Sequence, residues 1–214
     1  MDPNELDRRA AVLPTLVRAA GATARHAYAR RHLIDVRDKG VADFVTEADL
    51  AVQAQLYRAL AARFPDDALF GEEGDEPAVD PARPTWVVDP IDGTSNFAHG
   101  RPGWCVSVAL RAGGESLLGA VYDPVQDELF HARRGEGAYV GDERLACRTH
   151  AEVAGAQLVF GLTRKAPPEA TLAAVERLAL EGGSFRSFGV GALMIAYVGA
   201  GRIDGFFEAA IYAW

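Results

Sequence analysis

The stretch Trp86-Val87-Val88-Asp89-Pro90-Ile91-Asp92-Gly93-Thr94-Ser95-Asn96-Phe97 says most about how this chain folds. Three consecutive apolar residues predict a buried strand that stops at Asp89. Pro90 fixes a turn straight after it, so Asp89 and Asp92 can converge instead of pointing to opposite faces as strand neighbours would. Gly93 lets the backbone approach a ligand closely. The N–H groups of Gly93, Thr94 and Ser95 then form a turn or helix start whose orphan donors can hold a phosphate. Carboxylates beside such a cradle repel the anion unless cations intervene. The pairing therefore implies Mg²⁺, a hard ion that takes carboxylate, carbonyl and water oxygens.

Working back from this stretch, Ala68-Leu69-Phe70 predicts a second buried strand, which ends on Gly71-Glu72-Glu73 and so delivers acids at the same kind of position. A helix follows Thr46, with Leu50, Ala54, Tyr57, Leu60, Ala61 and Phe64 on one face and Pro65 past its end. Before it, Leu13, Leu16, Val17, Ala20, Ala24, Ala27 and Tyr28 recur at helical steps, with Pro14 either starting or kinking that helix. Working forward, Val106 to Arg111, Leu117 to Tyr122 and Glu128 to Ala132, separated by Gly113-Gly114 and Asp123-Pro124, predict an antiparallel meander. Gly135, Gly137 and Gly141 punctuate two shorter strands. After about residue 150 the pattern becomes α/β: strands at Val159-Phe160 and Phe185 to Phe188 flank a helix from Pro168 to Leu180, whose inward face would be Leu172, Val175 and Leu178 or Ala179. A helix from Gly191 to Val198 and a strand Gly205 to Glu208 follow. No cap, breaker or polar tail marks an ending at Trp214, so the fold is expected to continue beyond it.

Composition narrows the function classes. Of 214 residues, 49% are hydrophobic and 24% charged, an ordinary globular balance that excludes disordered and fibrous chains. Acidic residues outnumber basic ones 30 to 22, giving a net charge of −8, and the arginines are scattered. That argues against general binding to nucleic acid, which is driven by clustered Lys and Arg displacing counterions. The longest apolar run, Ala192 to Ala200, is too short for a bilayer and is broken by Gly199, so no membrane partner is expected. Met1 to Glu5 lacks the basic and apolar regions of a secretory signal. Two cysteines, Cys105 and Cys147, form neither a disulfide framework nor a zinc spacing, and read as buried or inert thiols of a cytoplasmic protein.

Taken together, Asp43-Phe44-Val45-Thr46-Glu47-Ala48-Asp49, Gly71-Glu72-Glu73, the stretch from Trp86 to Phe97, Gly119-Ala120-Val121-Tyr122-Asp123-Pro124 and Arg133-Arg134-Gly135-Glu136-Gly137-Ala138 resemble the inositol monophosphatase family of metal-dependent, lithium-sensitive phosphatases. The resemblance runs from the first helix to the end of the chain. It implies the layered α/β/α/β/α sandwich of the inositol monophosphatase and fructose-1,6-bisphosphatase type, with an N-terminal α+β lobe over 1–145 and an incomplete α/β lobe over 146–214. It implies a site of two or three Mg²⁺ ions: Glu72, Asp89 and the Ile91 carbonyl would hold the first, and Asp89 and Asp92 the second. Thr94 and Asp49 would orient and deprotonate the attacking water, with Glu72 also catalytic. Ile91, Asp92, Gly93, Thr94, Gly191 and Glu208 would lie on the substrate side, Glu208 as a carboxylate that accepts hydrogen bonds from a polyol or attracts an ammonium group. The family commonly forms homodimers. Its pattern places an aspartate directly after the tryptophan corresponding to Trp214, a ligand that this chain does not reach.

Several of these residues also have plainer readings. Asp49 stands three residues after Thr46 in a spacing like a capping box and could simply cap its helix. Glu73 reads as a solvated neighbour, Asp123 as a turn residue before proline, and Glu208 could be a strand-end surface acid. His26, His32, His99, His131 and His150 show no metal-ligand spacing. The leading function is Mg²⁺-dependent hydrolysis of a small polyol phosphate, inositol 1-phosphate by resemblance. The alternatives are histidinol phosphate, a nucleotide 3′-phosphate, or a regulatory, RNA-associated protein that keeps the fold without turnover.

Overall fold

The computed structural model describes residues 1–30, 36–40, 43–73, 83–149, 152–163 and 166–211; His32, His150 and Trp214 lie outside them. Asp2 caps helix α1 (Pro3–Ala29), its carboxylate accepting the Asn4 N–H at 2.8 Å, while Pro3 occupies the first turn, where a missing N–H costs nothing. The helix thus begins well before Leu13, and Pro14 lies inside it. The early turns were not legible as apolar periodicity because they are anchored by a charge. Arg9 is buried in a two-bond pair with Asp67, at 2.7 and 2.9 Å, and Trp86 Nε1 donates to the same carboxylate at 2.9 Å.

Strands β1 (Val36–Gly40) and β2 (Asp43–Thr46) form an antiparallel hairpin that leads into helix α2 (Glu47–Arg63). Next come β3 (Ala68–Gly71), β4 (Thr85–Asp92), a short helix α3 (Thr94–Ala98), β5 (Cys105–Ala112), β6 (Glu115–Asp123), β7 (Glu128–Arg133), β8 (Gly137–Val140) and β9 (Glu143–Arg144). These seven strands make one sheet in the order β3-β4-β5-β6-β7-β8-β9, with β3 and β4 parallel and every later pair antiparallel, so the expected meander is present. The rest of the chain gives β10 (Gln157–Phe160), α4 (Glu169–Leu180), β11 (Ser184–Arg186), α5 (Gly191–Gly199) and β12 (Gly205–Phe207), in which β10 lies between β11 and β12 in a parallel three-stranded sheet.

Strand alternation sorts the sheet into two faces. Val106, Val108 and Leu110 of β5 with Leu118 and Ala120 of β6 pack under α1 and α2 against Val17, Ala20, Val52, Leu56 and Leu60. Their neighbours Cys105 and Phe130 face the other way, onto Val190, Leu193 and Met194 at α5 and Val159 of β10. Each fully buried Leu or Val contributes about 1.5–3 kcal/mol, so the α1/α2 layer outweighs any single polar contact. Helices, mixed sheet, α5 and the smaller parallel sheet stack as layers, the mixed α/β class expected. Two details differ from the sequence reading. Leu172 is 60% exposed, and α4 instead buries Thr171 and Leu178, because its contact is the narrow edge at β11. The strand expected over Phe185 to Phe188 ends at Arg186, since Phe188 is drawn out of the sheet by a contact described below. Among the described residues no helix is long and apolar enough to cross a membrane.

Candidate active site

Parallel pairing brings two acids to one edge. Gly71 is in register with Val88, and the Glu72 N–H donates to the Val88 carbonyl at 3.2 Å, which sets Glu72 beside Asp89. The strand does not stop at Asp89 as expected: β4 continues through Pro90 to Asp92. Asp89 pairs with Ser107 and Asp92 with Cys105, so three steps along β4 match two along β5, a bulge at the residue that has no N–H to give. That extra residue re-aims Asp92, which in a regular strand would point away from Asp89. The Ile91 side chain is fully buried in the core, and its N–H donates to Asp89 Oδ1 at 3.0 Å.

Gly93 then turns the chain in the left-handed region, φ 90°, where a Cβ would also stand 2.8 Å from the Gly103 carbonyl. Only glycine fits there. Thr94 opens α3 and its hydroxyl donates to the Ile91 carbonyl at 2.9 Å. Asp92 reaches across to the second sheet's side of the cleft: its carboxylate accepts the N–H groups of Ala192 at 2.6 Å and Gly191 at 3.2 Å, the exposed donors that open α5.

The electrostatics follow from burial. Asp89 is held well above the ordinary carboxylate range, first by desolvation and then by the charges of Asp92, Glu72 and Asp49, and it shares a side-chain hydrogen bond with Glu72. Asp92 is also raised by desolvation, an effect partly offset by the Ala192 and Gly191 N–H groups. Cys105 places Sγ 3.7 Å from Asp92 Oδ2, and burial followed by the same carboxylates pushes its thiol well up, which makes it a protonated neighbour and no nucleophile. It is the buried thiol expected; Cys147 is exposed.

A cleft of about 280 Å³ gathers Glu72, Asp89, Ile91, Asp92, Gly93 and Thr94 from the large sheet with Gly191 and Glu208 from the second part of the chain. Asp49 is not on its wall. It is fully buried in the first turn of α2, where its charge reaches Asp89 from behind; the Thr46 side chain lies outside the described residues. Glu208 follows β12 and crosses over Gly161, where a Cβ would lie 2.2 Å from Glu208 Oε2. Asp123 accepts the Val125 and Gln126 N–H groups, the turn role expected of it. His99 is exposed and bonds through Nδ1 to the Ser95 carbonyl at 2.7 Å.

Sequence reasoning missed three supports. Gln53 receives the Glu73 N–H at 3.1 Å and donates to its carbonyl, and with Tyr57 it fills the space that a Cβ on Gly71 would occupy. Nothing in the helix pattern marks that role. Gly161 could have been found, since it closes an apolar run as Gly71 does. Asn96, inside the quoted stretch, is the third.

Among the described residues no group of three or more His, Cys, Asp or Glu side chains is placed to hold a metal ion as it stands, Glu72, Asp89 and Asp92 included. The donor set is nevertheless of the kind Mg²⁺ takes: Glu72, Asp89, Ile91 and Asp92, all bearing hard oxygens, line one cleft, and Asp89 among them is crowded by three other acids. Mg²⁺ usually keeps several waters and takes one or two carboxylates together with substrate phosphate, so an all-protein cage is not required.

A sequence model of the inositol monophosphatase family matches residues 5–214. The Nus factor SuhB of Haemophilus influenzae is 37% identical over 199 residues, which cover 92% of this chain and 74% of that protein. Among solved structures, the extragenic suppressor protein suhB of Bartonella henselae superposes with a TM-score of 0.88 at 33% identity, covering 95% of this chain and 79% of that one. An inositol monophosphatase of Thermotoga maritima gives 0.82 at 32%, covering 99% and 78%. With the layered fold, the paired acids at the ends of β3 and β4 and a match over nearly its whole length, the chain belongs to the inositol monophosphatase family.

Proposed function

We propose that this protein is a Mg²⁺-dependent phosphomonoesterase acting on a small polyol phosphate, inositol 1-phosphate first among them. The observation that carries this reading is the crowding of Asp89 by three further acids beside a turn of backbone donors, an arrangement that a cation and a phosphate together would balance. Glu72, Asp89, Asp92 and the Ile91 carbonyl would hold the metal. When bound, Mg²⁺ lowers the pKa of water and neutralises charge on the phosphate and the leaving alkoxide. The backbone donors at Gly93 and Thr94 orient the phosphate. Thr94 Oγ1 would position the attacking water, and Asp49, which lies behind the cleft wall, would take up its proton through a relay across that wall and not by direct contact. Gly191 and Glu208 receive the alcohol half, so residues 1–145 supply the metal side and 146–214 the substrate side of one catalytic unit. Phosphate release should appear with Mg²⁺, disappear with EDTA, and rank inositol 1-phosphate above histidinol phosphate and nucleotides. Absence of release from every ester would reject the reading.

A second reading draws on the relatives named Nus factor SuhB: the protein serves as a regulatory partner whose catalytic site is incidental. Its net charge of −8 directs that role toward a protein surface and away from bare nucleic acid. Copurification with transcription machinery that survives loss of Asp89 would support it.

A further inference from the structure

Asn96 is buried at 8% exposure one helical turn beyond Asp92, and its side chain is not on the cleft wall. Its amide nitrogen has two hydrogens, and both are used: Nδ2 donates to the Gly103 carbonyl at 2.7 Å and to the Phe188 carbonyl at 2.6 Å. Both partners are carbonyls, which fixes the amide orientation. Gly103 belongs to the loop that seats Gly93, whereas Phe188 belongs to the segment before α5. Asp92 grips that same segment from the other end through the Gly191 and Ala192 N–H groups. An acceptor at 92 and a donor at 96 therefore hold residues 188–192 by their opposite backbone groups. Between the two grips Gly189 bends the chain at φ 67°, and Gly189 to Ala192 form cleft wall.

We infer that Asn96 is a positioning residue that sets residues 188–192 against the catalytic turn and so controls how the alcohol half of the substrate is received. This rests on the phosphomonoesterase reading for its kinetic test, and on geometry alone for its structural one. Loss of the two bonds frees the segment at Phe188, and the grip of Asp92 on the Gly191 and Ala192 N–H groups, no longer supported from the other end, opens more often. The alcohol half then meets a loosened wall, whereas the phosphate turn keeps its own supports at Gly93 and Ile91.

The test uses Asn96→Ser, which keeps one donor on a shorter side chain, and Asn96→Ala, which removes both donors. Each is assayed with inositol 1-phosphate and with p-nitrophenyl phosphate, whose aryl half has no hydroxyls to place. The expected result is a KM for inositol 1-phosphate raised about tenfold, the size of one lost buried hydrogen bond, with less than about threefold change for the aryl ester. Native-state hydrogen exchange is measured in parallel; the Gly191 and Ala192 amides should exchange faster in both variants, with β5 and β6 unchanged. Equal kinetic losses on the two esters, or unaltered exchange at 191–192, would overturn the inference. If the unmodified protein hydrolyses neither ester, the phosphatase reading fails and the exchange result still decides the positioning role, in either direction.

Discussion

Asp89 and Glu72, one on β4 and the other just past its parallel neighbour β3, are joined carboxyl to carboxyl by a hydrogen bond. Such a bond needs a proton between the two groups, and burial with the neighbouring acids favours the protonated form of Asp89. Because Asp89 is raised by burial and by Asp92, Glu72 and Asp49, that proton persists above the ordinary carboxylate range. Mg²⁺ bound at these acids, as proposed, would displace it. Binding is therefore expected to release protons and to weaken as pH falls. Calorimetric titrations in two buffers of different ionisation enthalpy check this; identical apparent enthalpies at a pH below the raised value would contradict it.

The same linkage sets stability. A carboxyl whose folded-state pKa is raised contributes its stabilisation fully below its unfolded pKa and loses it as pH rises through the folded one. Metal-free protein should therefore lose melting temperature as pH rises past the carboxylate range, and Mg²⁺ should restore it. Thermal melts with EDTA and with Mg²⁺ across pH test the crossing.

Asp89→Asn removes the acid on which the others converge, but an amide oxygen can still accept the Ile91 N–H. Turnover should fall by at least about 10³-fold, the scale on which a central electrostatic group is lost. The metal-free variant should melt at or above the parent temperature, since a repelled carboxyl is gone. A variant with near-parent turnover would dismiss the carboxylate-centred mechanism.

Gly93→Ala forces a side chain into φ 90° and against the Gly103 carbonyl at 2.8 Å. The left-handed conformation alone costs about 1–2 kcal/mol. Relief requires the turn to move away from Trp104, so activity should drop more steeply than stability. Denaturant unfolding and kcat measured on one preparation would compare the two.

Arg9→Met strands Asp67, which is buried and would keep, among the described residues, the Trp86 indole as its side-chain donor. Breaking a buried pair by removing one partner costs about 3–5 kcal/mol. Because this pair ties α1 to the turn just before β3, remote from Asp89, kcat at low temperature should stay within about twofold of the parent while the unfolding midpoint drops. A variant of unchanged midpoint would show that the pair is structurally idle.

What could be read from the sequence tracks how local each signal is. Alternation in β5 and β6 and the turns at Gly113-Gly114 and Asp123-Pro124 are short-range, and they were legible. The start of α1 was not, because Arg9 finds its partner 58 residues away. The continuation of β4 through Pro90 was hidden by proline's usual meaning in a strand; only the register with β5 reveals the bulge. In α4, periodicity identified a helix but not the buried side, since Leu172 faces out. At the site, the acids and Gly93 stood in one readable stretch, while Gln53 and Asn96 act through backbone groups far along the chain.

The grip of Asp92 on Gly191 and Ala192 also orders events in time. Those contacts span 99 and 100 residues, and Asn96 reaches Phe188 over 92, whereas the meander from β5 to β8 closes through successive short hairpins. Chain closure over such separations is slow compared with hairpin formation. A refolding chain is therefore expected to regain its sheet before its cleft, an order that pulse-labelled hydrogen exchange during refolding would check. During synthesis, residues 188–192 emerge only after the acids they face have been built, so the cleft is among the last parts of the molecule to come into existence.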